Sequence, residues 1–281
     1  MSGKFTTNMP DCFSASFLVF FKTTNWCWNN CAHCCENSGS RMPKKFIPES
    51  VIKGYIDQAC QDKAFARRIV FTGGETMAEY KFKNEDYIKN ILNHALNAKC
   101  YVDIKTKAGW VNTKLATQVY SDLKEVVSNQ SQGAIYTEPK RPANLQFSLS
   151  LDSFHKDALK RDSGFVEHIA NTNIPGVAFV INIAAFQQDE QMVSDLIQKL
   201  AESGVNFSEI SLFGPNGEVG GKKTYSYNDN AIIKFSFWKL FNGGRAKDIE
   251  YAYKTPYPQF AFLDADCESL IAFDSFGNVT L

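Results

Sequence analysis

"TNWCWNNCAHCCENSG", residues 24–39, places four of the chain's eight cysteines within nine residues. Thiols crowded in this way serve a disulfide, a zinc ion or an iron–sulfur cluster. The other four, Cys12, Cys60, Cys100 and Cys267, are widely separated, which is poor material for a disulfide framework. The apolar stretch "FSASFLVFF" (13–21) has no basic flank before it and no small-residue cleavage site after it, so it does not read as a signal peptide. A cytoplasmic setting with reduced thiols is therefore expected. A structural zinc site wants four closed ligands, commonly as two pairs. Here there is one tight cluster and no second pair. Cys27, Cys31 and Cys34 could be joined by His33 or Cys35, but adjacent residues rarely both reach one tetrahedral ion. Three thiolates suit an iron–sulfur cluster better where one iron is to stay open, a vacant position being the mark of a catalytic metal.

Working outward, "SFLVFF" (16–21) before the cysteine loop reads as a buried strand, and residues 47–63 after it as a helix with apolar positions three and four apart. Strand-like segments follow at 67–75, 100–109, 144–152, 176–186 and 208–214. They alternate with helical patterns at 84–99, 112–129, 156–173, 189–204 and, less regularly, around 228–242. Six β-α alternations with short connections argue for a parallel sheet with outer helices. Periodicity alone leaves open whether that sheet is flat and doubly wound or a partial barrel. The special residues gather at the strands' carboxyl edge, where ligands bind in such folds: the cysteine loop, Gly73–Gly74, Lys105 and Thr106, Asp152, and Asn182. Lys105 and Asp152 read either as an inward ion pair or as substrate-facing groups. With 281 residues, 44% apolar content and a formal net charge of zero, the chain can bury a full core. It carries no electrostatic footprint for nucleic acid and no apolar run near the ~20 residues that span a bilayer.

"CWNNCAHC" resembles the C-x3-C-x2-C motif of the radical S-adenosylmethionine (radical SAM) enzymes, and it lies in the loop after the first strand, as in that family. "FTGGE" (71–75) resembles the family's Gly-Gly-Glu motif, "SLD" (150–152) its strand-four serine and "VIN" (180–182) its strand-five asparagine. "TKAG" (106–109) departs from the common Thr-Asn-Gly, and Thr76 stands where proline is usual. The resemblance covers residues 14–214 and implies an α/β fold, a partial (β/α)6 barrel of parallel strands with outer helices. It implies that Cys27, Cys31 and Cys34 hold a [4Fe–4S] cluster whose fourth iron is chelated by SAM, with Cys35 left out. SAM would lie against His33, Gly73, Gly74, Glu75, Thr106, Ser150 and Asn182. The glycines would admit its methionine end, Glu75 its ammonium, Ser150 its carboxylate and Asn182 its ribose. The family's chemistry cleaves SAM reductively, and the resulting 5′-deoxyadenosyl radical takes hydrogen from a substrate. Glu75 read without the resemblance is a carboxylate complementing a helix N-terminus.

Residues 215–281 form a separate extension. "GPNGEVGGKKTYSYND" (214–229) reads as a glycine-rich loop. "DCESLIAFDSFGNVTL" (266–281) reads as a hairpin that resembles the start of the SPASM or twitch extension of peptide-modifying radical SAM enzymes. Only Cys267 is present there, so an auxiliary cluster is not expected. The tail reads as a remnant, a cut end, or a cap on the open edge of the barrel beside its last strand. A peptide substrate follows from that resemblance, with a small metabolite as the rival and a glycyl-radical-enzyme activase as a third reading. From another class, the chain could be a zinc- or cluster-bearing binding module. The partner implied is a flavodoxin- or ferredoxin-type electron donor, for which "RMPKK" (41–45) offers a basic docking segment. Neither nucleic acid nor membrane is implied.

Overall fold

The computed structural model describes residues 16–34, 36–59, 66–82, 86–107, 109–110, 113–130, 144–150, 155, 174, 177–184, 190–202, 221–227, 231–238, 269–273 and 279–280. The strands are β1 (Ser16–Thr24), β2 (Ala66–Gly73), β3 (Tyr101–Thr106), β4 (Leu145–Ser150), β5 (Val177–Ala184), β6 (Gly221–Tyr227), β7 (Ala231–Trp238), β8 (Ser269–Phe273) and β9 (Val279–Thr280). They form one sheet in the order β6-β7-β5-β4-β3-β2-β1-β8-β9. From β7 to β8 every neighbouring pair is parallel, and β6 and β9 close the two ends as antiparallel strands. The helices are α1 (Glu49–Ala59), α2 (Glu79–Phe82), α3 (Asp86–Asn97), α4 (Lys114–Ser128) and α5 (Glu190–Glu202). No described helix is long and apolar enough to cross a membrane.

Local chemistry explains the helix bounds. In α3 the buried side chains are Tyr87, Ile88, Ile91, Leu92, Ala95 and Leu96, a stripe three and four apart that faces the sheet. Asp86 in its first turn complements the dipole. At its other end Lys99 takes a left-handed φ of 63°. The Cys100 N–H reaches the Ala95 carbonyl and the Lys99 N–H that of Leu96, which together satisfy the last carbonyls. The Thr113 hydroxyl caps α4 by accepting from the Leu115 N–H at 3.2 Å.

Strand alternation divides the sheet into two faces. Val19 and Phe21, Ile69 and Phe71, Val102 and Ile104, and Leu145, Phe147 and Leu149 join the helices in one apolar core. The β3 and β4 residues between them, Tyr101, Asp103 and Lys105 on one strand and Gln146, Ser148 and Ser150 on the other, share the opposite face, with Asp103↔Gln146 and Lys105↔Ser148 in register. That polar face, followed to its carboxyl edge, carries the site.

Three expectations in the second half need correction. The segment around 228–242 contains the strand β7, parallel to β5, rather than a helix. The glycine-rich segment contains β6, paired with β7 from Gly221↔Phe237 to Tyr227↔Ala231. "AIIKFSFW" alternates Ile233, Phe235 and Phe237 with Lys234 and Ser236, the period of a strand, and it pairs in parallel with β5. The expected strand at 208–214 and helix at 156–173 lie outside the described residues. The hairpin forms as expected, with Ala272↔Thr280 and Phe273↔Val279. It docks on β1, however, through Phe17↔Ser269 to Phe21↔Phe273, not beside the last strand of the series.

Candidate cofactor and metal site

The cysteine loop leaves β1 and closes on itself at a neck. The Cys27 N–H donates to the Gly39 carbonyl at 3.2 Å and the Gly39 N–H to the Asn25 carbonyl at 3.3 Å. Asn30 and Ser40 brace the same neck, with the Asn30 amide donating to the Ser40 hydroxyl at 3.2 Å. A Lys22–Glu36 ion pair of 2.6 Å ties the loop back to β1. Trp26 is buried at the neck and packs edge-on against Trp28 and Phe82.

Cys27, Cys31 and Cys34 are all thiols; the first is buried and the others are half-buried. The Cys27 sulfur accepts the Asn29 N–H at 3.4 Å. Burial, with the Glu75 charge adding to it, pushes the Cys27 thiol up to about 12. A bound metal would have to displace that proton, as coordination to thiols generally does. Among the described residues no three His, Cys, Asp or Glu side chains stand close enough to hold a metal ion. The loop thus brings its thiols into one enclosed segment without forming a finished cage. The donor set fits an iron–sulfur cluster by its chemistry, three soft thiol ligands, and ligand convergence on binding is the ordinary behaviour of such sites. Cys35 and Cys267 lie outside the described residues.

The Gly-Gly-Glu turn is bolted to this neck. Gly73 has φ +112°, and a Cβ there would stand 2.4 Å from the Thr24 carbonyl oxygen; a Cβ on Gly74 would stand 2.0 Å from that of Trp26. Both positions are closed to any side chain. The Gly74 N–H donates to Thr24 O at 2.6 Å and the Glu75 N–H to Trp26 O at 2.9 Å. What the missing side chains admit in this structure is therefore the backbone of the cysteine loop.

Glu75 is fully buried. Its Oε1 accepts from the Met77 N–H at 3.1 Å and the Thr106 hydroxyl at 2.5 Å, and its Oε2 accepts from the Lys107 N–H at 3.1 Å. It thereby caps the 3-10 turn Thr76–Ala78 and fastens the end of β3 to the end of β2. Burial raises its pKa despite these three donors. A carboxylate offers about four acceptor positions, so three are engaged within the chain. The Thr106 hydroxyl is committed as well, because it also accepts the Trp110 Nε1–H at 3.0 Å.

The remaining predicted residues divide. His33 is half-buried, 4.8 Å from the His155 ring and edge-on to it. Ser150, the last residue of β4, is the register partner of Asn182, two residues before the end of β5. Lys105 pairs with Asp103 at 2.8 Å; Asp152 is outside the described residues. Asp103 and His155 were missed from sequence. The first alternates with Lys105 on one strand face, and the second follows β4 closely, the signals by which each could have been found.

The structure of SuiB from Streptococcus suis bound to S-adenosylmethionine superposes with a TM-score of 0.52 over 95% of this chain and 60% of that one, at 16% identity. The chain has the radical SAM fold. A second SuiB structure matches with a TM-score of 0.51 at 16% identity over the same shares. A third, SuiB bound to precursor peptide SuiA, reaches 0.45 at 17% identity over 68% of this chain and 38% of that one. The chain spans about 60% of SuiB's length. No protein-family model matches the chain, and neither does any curated protein. The radical SAM fold is an α/β partial barrel, which settles the architecture that periodicity left open.

Proposed function

We propose that the chain is a radical SAM enzyme that binds a [4Fe–4S] cluster through Cys27, Cys31 and Cys34 and cleaves S-adenosylmethionine to abstract hydrogen from a peptide substrate. The observation that carries this reading is a C-x3-C-x2-C loop at the carboxyl edge of β1, joined at its neck to the Gly-Gly-Glu turn of β2. When bound, cluster and SAM supply one-electron cleavage chemistry. The chain supplies position. Glu75, with one acceptor site to spare, suits the SAM ammonium, while Thr106 holds Glu75 in place. The turn at Gly73–Gly74 offers backbone close to the loop. Ser150 and Asn182 stand side by side in register to take polar groups of the cofactor, and His33 borders the same edge.

The peptide class rests on the SPASM-like tail; SuiB is a protein solved with a precursor peptide. A small metabolite is the alternative. For reduction, Arg41, Lys44 and Lys45 are exposed beside the loop, and Lys44 lies 4.3 Å over the Phe82 ring. That surface suits an acidic flavodoxin or ferredoxin. A thiol-dependent cluster also suits the reducing cytoplasm.

Anaerobic reconstitution tests the reading. Wild type should bind about four irons per chain and release 5′-deoxyadenosine from SAM. Alanine at Cys27, Cys31 or Cys34 should abolish both, and Cys35→Ala should keep both. A colourless protein with one zinc would overturn it.

A further inference from the structure

The polar face of β3 and β4 holds one connected network. The Tyr101 hydroxyl donates to Gln146 Oε1 at 2.5 Å. Gln146 Nε2 donates to the Ser148 hydroxyl at 3.0 Å, and that hydroxyl donates to Asp103 Oδ1 at 2.6 Å. Lys105 Nζ donates to Ser148 Oγ at 3.1 Å and pairs with Asp103 Oδ2 at 2.8 Å. Ser148 thereby uses its proton and both lone pairs. The Asp103 side chain is 2% exposed and that of Lys105 24%.

Such a network is a poor choice for stability. Burying an ion pair costs several kcal/mol per charge before attraction offsets it, and apolar replacements are often neutral or stabilising. Parallel strands covered on both faces ordinarily fill such positions with Val, Ile or Leu. Lys105 also stands one residue from the end of β3, at the ligand-binding edge of the sheet. An ammonium has three donors. Two are held by Asp103 and Ser148, and among the described residues the third has no partner.

We propose that Lys105, oriented by Asp103 and Ser148, is a substrate-anchoring residue whose third N–H takes a carboxylate of the substrate. The proposal rests on the radical SAM reading for the existence of a substrate at this edge. A single remaining donor, on a cation already paired with Asp103, matches a monoanionic carboxylate. A phosphate dianion would need more donors than this group offers.

The test is an NMR titration of the full chain, cluster-free and reconstituted, with acetyl-Glu-amide and its neutral isostere acetyl-Gln-amide. Wild type should bind the glutamate probe saturably and the glutamine probe at least tenfold more weakly. Lys105→Met should weaken the glutamate probe at least tenfold while SAM affinity stays within twofold. The double variant Asp103→Asn/Lys105→Met, which leaves no buried unpaired charge, should do the same if the single variant folds poorly. Undetectable binding by wild type, equal binding by the variants, or competitive displacement of the probe by SAM would each overturn the proposal. Failure of the radical SAM reading would show separately, as absence of iron and of 5′-deoxyadenosine.

Discussion

Glutamine at position 75 keeps the side chain's shape but removes its charge and turns one acceptor atom into a donor. Glu75 receives three donors on two oxygens, the Met77 N–H and Thr106 hydroxyl on one and the Lys107 N–H on the other. Whichever way the amide is turned, its NH2 must face at least one of those donors. A buried donor left unsatisfied costs about 1–3 kcal/mol, and relief of the carboxylate's desolvation returns part of it. A net loss of about 2 kcal/mol is expected, roughly 4–8 °C in Tm for a chain of this size. The pH profile carries a second signature. Burial lifts Glu75 above its ordinary 4.5. Above that pH the native chain still holds a proton that the unfolded chain has released. The group's stabilising contribution is therefore complete below about 4.5 and is lost as pH rises through the folded-state value. Urea unfolding of the cluster-free chain from pH 4 upward should show this falling limb in wild type and lack it in Glu75→Gln. Equal stabilities within about 0.5 kcal/mol, with identical profiles, would refute the argument.

Other substitutions probe the same joints. Gly74→Ala drives a Cβ into the Trp26 carbonyl oxygen 2.0 Å away. It should cost about 1–3 kcal/mol in thermal melts and lower iron uptake on reconstitution. Thr106→Val strands the buried Trp110 Nε1–H, which now donates to Thr106. A loss of about 1–3 kcal/mol is expected by urea titration, with Thr106→Ser recovering most of it. Deleting residues 269–281 bares the edge of β1, and static light scattering should report association that the full chain does not show.

Much of this molecule could be read from its residues. The parallel strands β1 to β5, with α1, α3 and α4 between the first four, and the position of the cysteine loop follow from local periodicity and motif spacing. That Ser150 and Asn182 stand opposite each other needed the register of β4 against β5. Glu75 shows where reading stops. Its residue type and place were found, yet three of its acceptor positions are taken by Met77, Thr106 and Lys107, a fact fixed by the register of β2 against β3. Asp103 escaped because its partner Ser148 lies on another strand. His155 escaped because the ring it meets, His33, comes from a loop far earlier in the chain. β7 escaped although Ile233, Phe235 and Phe237 alternate with Lys234 and Ser236, a period-two signal that a window reaching to residue 242 dilutes.

The seating of β8 on β1 also sets an order of events. Val19 and its partner Ile271 are about 250 residues apart. At a synthesis rate of roughly 5–20 residues per second, β1 would emerge some 12–50 s before the strand that covers its outer edge. Over that interval an apolar strand, already paired on one side with β2, would offer bare amides and carbonyls to any passing chain. A nascent protein built this way should depend on chaperone binding near its first strand, and its last folding step should be the slow, long-range docking of the tail.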